Sequence, residues 1–230
     1  MVIHGFQKLT LLDYPGHTAC TIFSGGCNFR CPFCHNAGLV LSPGQYDTVG
    51  EDEVLAYLKK RRGILDGVCI TGGEPLLNPD TEEFAARVKE LGYMVKLDTN
   101  GSFPARLEKM VNEGLVDYVA MDIKNSLAKY PETVGKADFD TAPIEQSVEF
   151  LRSGKAEYEF RTTVVREFHS EDDIRGIGKW LAGSPRYFLQ AFVDSGELIG
   201  EGLHGYTQEE YKGLLDAARE YIPDAELRGV

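Results

Sequence analysis

Gly67-Val68-Cys69-Ile70-Thr71-Gly72-Gly73-Glu74-Pro75 is the stretch that decides the fold. A short aliphatic and β-branched run, the composition of a buried strand, leads straight into paired glycines. Asp80 and Glu83 then open an amphipathic helix that buries Phe84, Val88 and Leu91 and stops at Gly92. The unit is strand, polar turn, helix, with its unusual residues at the carboxyl end of the strand.

Working outward, the same rhythm recurs. Strands are expected over 17–23, 67–71, 93–97, 118–123, 157–165 and 186–192. Thr48 and Glu51 form a capping-box pattern ahead of Val54, Leu55 and Leu58, and Gly63 closes that helix. Pro104 suits the first turn of a helix carrying Leu107, Met110 and Val111. Thr141 and Ser170 precede two more, and Thr207 with Glu210 starts a last one that Pro223 ends. Such alternation implies a parallel sheet with right-handed crossovers. The expectation is an α/β fold: a partial (β/α)6 TIM-like barrel in a single domain over 1–230, with an open doubly wound sheet as the alternative. Either way, ligands belong at the carboxyl ends of the strands.

The bulk composition narrows the function classes. The 230 residues are 43% hydrophobic and 26% charged, as in a globular protein. A net charge of -12 argues against a phosphate-tracking nucleic-acid surface. Lys60-Arg61-Arg62 reads as the cationic end of a helix. No apolar run is long enough for a membrane span, and no secretory signal is evident. Five cysteines, three of them within eight residues, suit a metal or redox site in the cytoplasm and not a disulfide scaffold.

The polar motifs fall where the barrel reading requires. The segment 25–36 follows the first strand, Gly72-Gly73-Glu74-Pro75 the second and Asp98-Thr99-Asn100-Gly101 the third, while Asp122-Ile123-Lys124 ends the fourth. Within the first, Cys27, Cys31 and Cys34 are spaced C-x3-C-x2-C, and thiolates so spaced can wrap one soft-metal centre. A four-iron cluster held by three cysteines keeps one iron open. A structural zinc site of the three cysteines plus His35 has plausible spacing as well. Gly25 and Gly26 let the backbone crowd against a bulky group, and the later glycine pair permits close approach to a ligand. Glu74 offers an acceptor for an ammonium group. Asp98 and Asp122, brought together on one face, would repel each other unless a cation or Lys124 sat between them.

The cysteine spacing with aromatic Phe33 before its last thiol resembles the signature of the radical S-adenosylmethionine superfamily. The later motifs match in order, so the resemblance covers almost the whole chain. It implies one [4Fe-4S] cluster on Cys27, Cys31 and Cys34, whose open iron chelates S-adenosylmethionine. Phe33 and Asn36 are then cofactor-binding, the Gly72-Gly73-Glu74 motif meets the ligand's amino group, and Lys124 contacts the ligand. Asp98, Thr99 and Asp122 become ligands of a monovalent cation, Na+ or K+. Arg161, inside the fifth strand, needs an anionic partner; the resemblance leans towards the ligand carboxylate or ribose. Gln190 stands where relatives often carry a histidine near the adenine. Cys20 and Cys69 read as buried hydrophobes, and 37–62 lacks further cysteines, so one cluster is expected. His4, His169 and His204 read as structural or surface residues. The glycine-rich 194–206 segment, with Tyr206 beside it, reads as a mobile lid.

Asp13-Tyr14-Pro15-Gly16 is a reverse-turn pattern that also resembles an element of glycyl-radical enzyme activases. There the acidic residue contacts the partner's glycine-bearing loop, the role expected of Asp13. The combined motifs look most like the short activating proteins of anaerobic ribonucleoside-triphosphate reductase. Pyruvate formate-lyase activating enzymes are the close second. The implied partners are a glycyl-radical enzyme and a flavodoxin- or ferredoxin-type electron donor. A small-molecule enzyme similar to 7-carboxy-7-deazaguanine synthase is the competing class.

Overall fold

An antiparallel strand that the hydrophobic pattern does not announce begins the sheet: β1 (Ile3–Thr10) lies against β2 (Ala19–Ser24), with Phe6 opposite Ile22. This is a computed structural model, and it describes residues 1–229. From β2 onward the pairing is parallel, through β3 (Gly67–Gly72), β4 (Met94–Thr99), β5 (Tyr118–Asp122), β6 (Glu157–Val164) and β7 (Tyr187–Ala191) to β8 (Glu226–Arg228). The order along the sheet is β1 through β8, and β1 and β8 do not pair, so the barrel stays open at one side. The six expected parallel strands are all present close to their expected limits. The two edge strands are additions to that reading.

Helices return the chain to the same edge each time. They are α1 (Ala37–Leu41), α2 (Glu51–Lys60), α3 (Thr81–Glu90), α4 (Pro104–Asn112), α5 (Tyr130–Thr133), α6 (Ala142–Arg152), α7 (Glu171–Trp180) and α8 (Gln208–Arg219). Ser170 and Thr207 each close a capping box, with Asp173 and Glu210. The Thr48–Glu51 box does not form. Val49 N–H donates to the Ile3 carbonyl of β1 at 2.8 Å, Gly50 takes the N-cap, and Glu51 binds Arg87 at 2.6 Å. The unforeseen edge strand thus displaced the expected cap.

Period-two alternation divides the strands between two environments. Val119 and Met121 of β5 join the large apolar layer beneath the helices, with Leu58, Phe84, Met110, Val148 and Ile177. Tyr118 and Ala120 instead face inward, where Tyr14 and Ala19 plug the amino-terminal end of the barrel. Towards the carboxyl ends the interior turns polar, and Lys96, Asp98, Asp122, Glu159 and Arg161 meet there. Among the described residues no helix is long and apolar enough to cross a membrane.

Candidate active site

Because the parallel strands all end on one edge, the loops after β2, β3, β4 and β5 close around one cavity. It is lined by Cys27, Cys31, Cys34, Phe33, Asn36, Gly72, Gly73, Asp98, Thr99, Asp122, Lys124, Arg161 and Gln190. Of the residues expected at the site, only Asp13 and Glu74 lie outside this lining.

The glycine pair explains how two of the loops come so close. Gly73 N–H donates to the Ser24 carbonyl and Glu74 N–H to the Gly26 carbonyl, both at 2.9 Å. A Cβ on Gly73 would stand 1.8 Å from the Gly26 oxygen, and Gly72 has φ +116, where side chains are strained. The glycine pair therefore packs closely on the backbone of β2 and of the cysteine loop, and both glycines also line the cavity. Gly25 likewise abuts the His4 and Pro43 side chains. Gly73→Ala is expected to lower stability by about 3 kcal/mol, measured by urea unfolding, because a backbone oxygen cannot swing aside as a flexible side chain can.

Glu74 also differs from expectation. Its carboxylate is fully buried and accepts the Leu76 N–H (3.0 Å), the Thr99 hydroxyl (2.8 Å) and the Asn100 N–H (2.7 Å). It ties the loop after β3 to the loop after β4 and does not reach the cavity with its own oxygens. Burial pushes its pKa up to about 7, against the pull of those three donors. Asn36, by contrast, does face the site, and its Nδ2 donates to the Gly72 carbonyl at 2.6 Å.

The three thiols are unpaired with one another. Burial raises each, Cys31 to about 12, while Lys124 nearby favours its thiolate. Phe29 N–H approaches Cys27 Sγ at 3.3 Å and Asn100 Nδ2 lies 3.8 Å from it. His35 turns to the Val193 carbonyl (2.8 Å) and the Phe192 ring. Among the described residues, no three His, Cys, Asp or Glu side chains converge on one ion-sized point. A single zinc needs that convergence, whereas a four-iron cluster takes one thiolate per iron and is a wider object. The donor set therefore fits the cluster better than zinc.

Inside the barrel the charges are paired. Arg161 bridges both acids, with Nη2 3.0 Å from Asp122 and Nη1 3.4 Å from Asp98, and Lys124 Nζ lies 3.0 Å from Asp122. Burial alone would raise both carboxylates, but Arg161 and the neighbouring lysines hold Asp98 below its usual range and Asp122 at about 2. Behind Lys124, buried His169 accepts the Val165 N–H at Nδ1 and places Nε2 2.8 Å from the Lys124 carbonyl. Phe33 packs on His169 and Phe168. The 194–206 segment reaches the cysteine loop, where Gly200 N–H donates to the Pro32 carbonyl at 2.7 Å. Lys96, Asn28, Asn100 and Thr163 were not foreseen. Alternation could have revealed Lys96 and Thr163, each two residues from an inward-facing charge on its own strand.

Open barrel, thiol-lined mouth and buried charge pairs together define a class. The chain belongs to the radical SAM superfamily, whose family model matches residues 21–179. Over its whole length it is 32% identical to a Methanocaldococcus jannaschii protein whose assigned (not demonstrated) name is glycyl-radical enzyme activating enzyme MJ1227, 96% of which is covered. It is 29% identical over 178 residues to the pyruvate formate-lyase 1-activating enzyme of Escherichia coli K12, covering 74% of this chain and 70% of that one. Streptococcus suis SuiB bound to its precursor peptide SuiA matches 91% of this chain with TM-score 0.71 at 14% identity, and 48% of the SuiB chain is covered. Native anSMEcpe with bound AdoMet matches 86% of this chain and 58% of its own, with TM-score 0.62 at 18% identity. At these identities the structural likenesses speak for the fold alone. The protein is a radical SAM enzyme, a family whose cofactors are a [4Fe-4S] cluster and S-adenosylmethionine.

Proposed function

We propose that this enzyme activates a glycyl-radical enzyme, with anaerobic ribonucleoside-triphosphate reductase as the first candidate partner. One observation carries the reading. A second cavity, lined by Leu11, Leu12, Asp13 and Pro15, shares Asp98, Arg161 and Gln190 with the cysteine cavity. It lies at the unpaired side of the barrel, which supports entry of a polypeptide loop beside Asp13. The Thr21 hydroxyl donates to Asp13 Oδ2, which holds the carboxylate at this opening. An acceptor so placed suits the backbone N–H groups of an extended glycine segment.

Held in the cysteine cavity, a reduced cluster and S-adenosylmethionine would supply one-electron reductive cleavage of the sulfonium, the chemistry needed to remove a hydrogen atom from a glycine Cα of the partner. The chain's own residues do the rest. Cys27, Cys31 and Cys34 would hold the cluster, while Lys124 and Arg161 supply cationic donors for the ligand's carboxylate. Asn36, Gly72, Gly73 and Gln190 wall the ligand site, and Phe33 packs the loop behind it. The hydrogen bond from Gly200 to Pro32 of the cysteine loop supports reading the 194–206 segment as a cover for the mouth. Five free cysteines support a reducing cytoplasmic setting, with a flavodoxin- or ferredoxin-type protein as electron donor.

Identity to the Escherichia coli pyruvate formate-lyase 1-activating enzyme favours pyruvate formate-lyase as the second candidate. The test mixes reconstituted, reduced enzyme and S-adenosylmethionine anaerobically with each candidate partner. A doublet EPR signal of a glycyl radical is expected with the true partner. S-adenosylmethionine cleavage without such a signal for any glycyl-radical protein of the source organism would point instead to a small-molecule substrate.

A further inference from the structure

Lys96 sits in β4 two residues before Asp98, so both side chains enter the barrel interior. Its side chain is 2% exposed, and its ammonium forms an ion pair with Asp98 Oδ1. The other oxygen of Asp98 meets Thr71 Oγ1 at 3.1 Å and Arg161 at 3.4 Å. Asp122 is engaged in the same way, by Arg161 on Oδ1 and Lys124 on Oδ2, each at 3.0 Å. The Thr99 hydroxyl donates to Glu74 and accepts the Gly101 N–H.

These are the three residues that the family resemblance makes ligands of a Na+ or K+ ion, and here each is already occupied by the protein's own groups. Three cations (Lys96, Lys124 and Arg161) face the carboxylates of Asp98 and Asp122, and the third acid of the interior, Glu159, is paired by a fourth cation, Arg228. A further cation would enter a set that is already net positive, at low dielectric, where repulsion is strong. Stripping Asp98 of Lys96 to admit an ion would also leave a buried ammonium unpaired, which is costly. The residues present do not fit an added monovalent cation.

We infer that Lys96 is the resident counterion of Asp98 and stands in for a free monovalent cation, so that S-adenosylmethionine binding here is independent of Na+ and K+. The inference rests on the S-adenosylmethionine reading of the site and assigns Lys96 a positioning role, since it touches Asp98 and not the ligand. Its observable is thermodynamic: a cation coupled to a ligand must change that ligand's affinity, typically about 5–150-fold.

The test uses reconstituted enzyme titrated anaerobically with S-adenosylmethionine at constant ionic strength in KCl, NaCl or choline chloride. Affinity is read by calorimetry, and the ligand-induced change in the reduced cluster's EPR spectrum is read in parallel. Wild-type affinities should agree within about twofold across the three salts, outside the range of ordinary coupling. Lys96→Met should bind at least about tenfold more weakly in choline and recover in KCl or NaCl, because a small cation can then take the vacated place beside Asp98. A purely structural lysine would give a variant that no salt restores. A wild-type loss in choline greater than twofold would overturn the inference, and so would a Lys96→Met protein that binds equally in all three salts. Should that variant fail to fold, the wild-type comparison decides alone. Absence of binding in every salt would bring down the underlying reading instead.

Discussion

Cys27→Ser, Cys31→Ser and Cys34→Ser proteins should each emerge from anaerobic reconstitution unable to cleave S-adenosylmethionine. The loss should exceed about 100-fold, the upper end of what removing a merely supporting residue costs a metal site. A hydroxyl is a hard, weakly acidic ligand and a poor substitute for a thiolate on iron. With only three protein ligands there is no spare. Iron and sulfide content, the EPR spectrum of the reduced protein and 5′-deoxyadenosine formation report the loss together. Cys20→Ala and Cys69→Ala serve as controls: both thiols are fully buried outside the loop, and iron binding should persist. A Cys31→Ser protein that kept a four-iron spectrum and cleavage activity would remove the cluster assignment at its root.

Arg161→Met should be the most damaging single change to stability outside that loop, by about 3–5 kcal/mol near neutral pH. The arginine side chain is 13% exposed and touches both Asp98 and Asp122, so its loss leaves Asp122 with Lys124 and Asp98 with Lys96 in a low-dielectric interior. Arg161→Lys should recover little, since one ammonium cannot reproduce a planar fork between two acids. The pH dependence gives the mechanism away. In the wild type both carboxylates titrate below the unfolded value of 3.8, so their stabilisation is complete above it and is lost as pH falls towards about 2. Without Arg161, burial drives the carboxylates upward, and the folded state takes up protons before the unfolded chain does. The stability gap between variant and wild type should therefore narrow between pH 7 and pH 5 in urea unfolding. A gap of constant size would mean that Arg161 contributes packing and not charge.

Much of this was legible before any coordinates. The six parallel strands announce themselves because buried strands are nearly continuous aliphatic runs, as in Val68-Cys69-Ile70 and Val119-Ala120-Met121. Ser170 and Thr207 were readable as caps because a capping box is local, spanning four residues. The edge strands were not. Residues 3–10 mix glycine, lysine and glutamine with apolar residues, and 226–228 are too few to show a period. Both become strands because a neighbour offers unpaired backbone groups, a reason that lies outside the segment itself. The same cause undid the Thr48–Glu51 cap, since β1 claimed Val49.

At the site, spacing along the chain was enough to name the thiols, and strand order was enough to gather the polar motifs on one edge. Local sequence could not say which way a carboxylate turns. Glu74 looked like a ligand group, but one donor from its own loop and two from the end of β4 and the loop after it draw it inward. Gly72 and Gly73 looked like room for a ligand alone, but the places their side chains would take are also claimed by the backbone of β2 and of the cysteine loop. Lys96 shares a strand face with Asp98 by alternation alone, but only the closed interior makes the two an ion pair. Sequence by itself therefore determined the element order and the superfamily and singled out the three thiols that the fold gathers in one cavity, all carried by residue type and spacing. Only the tertiary structure decided which charges neutralise one another, because ion pairing in a barrel interior depends on distances between strands far apart in the chain.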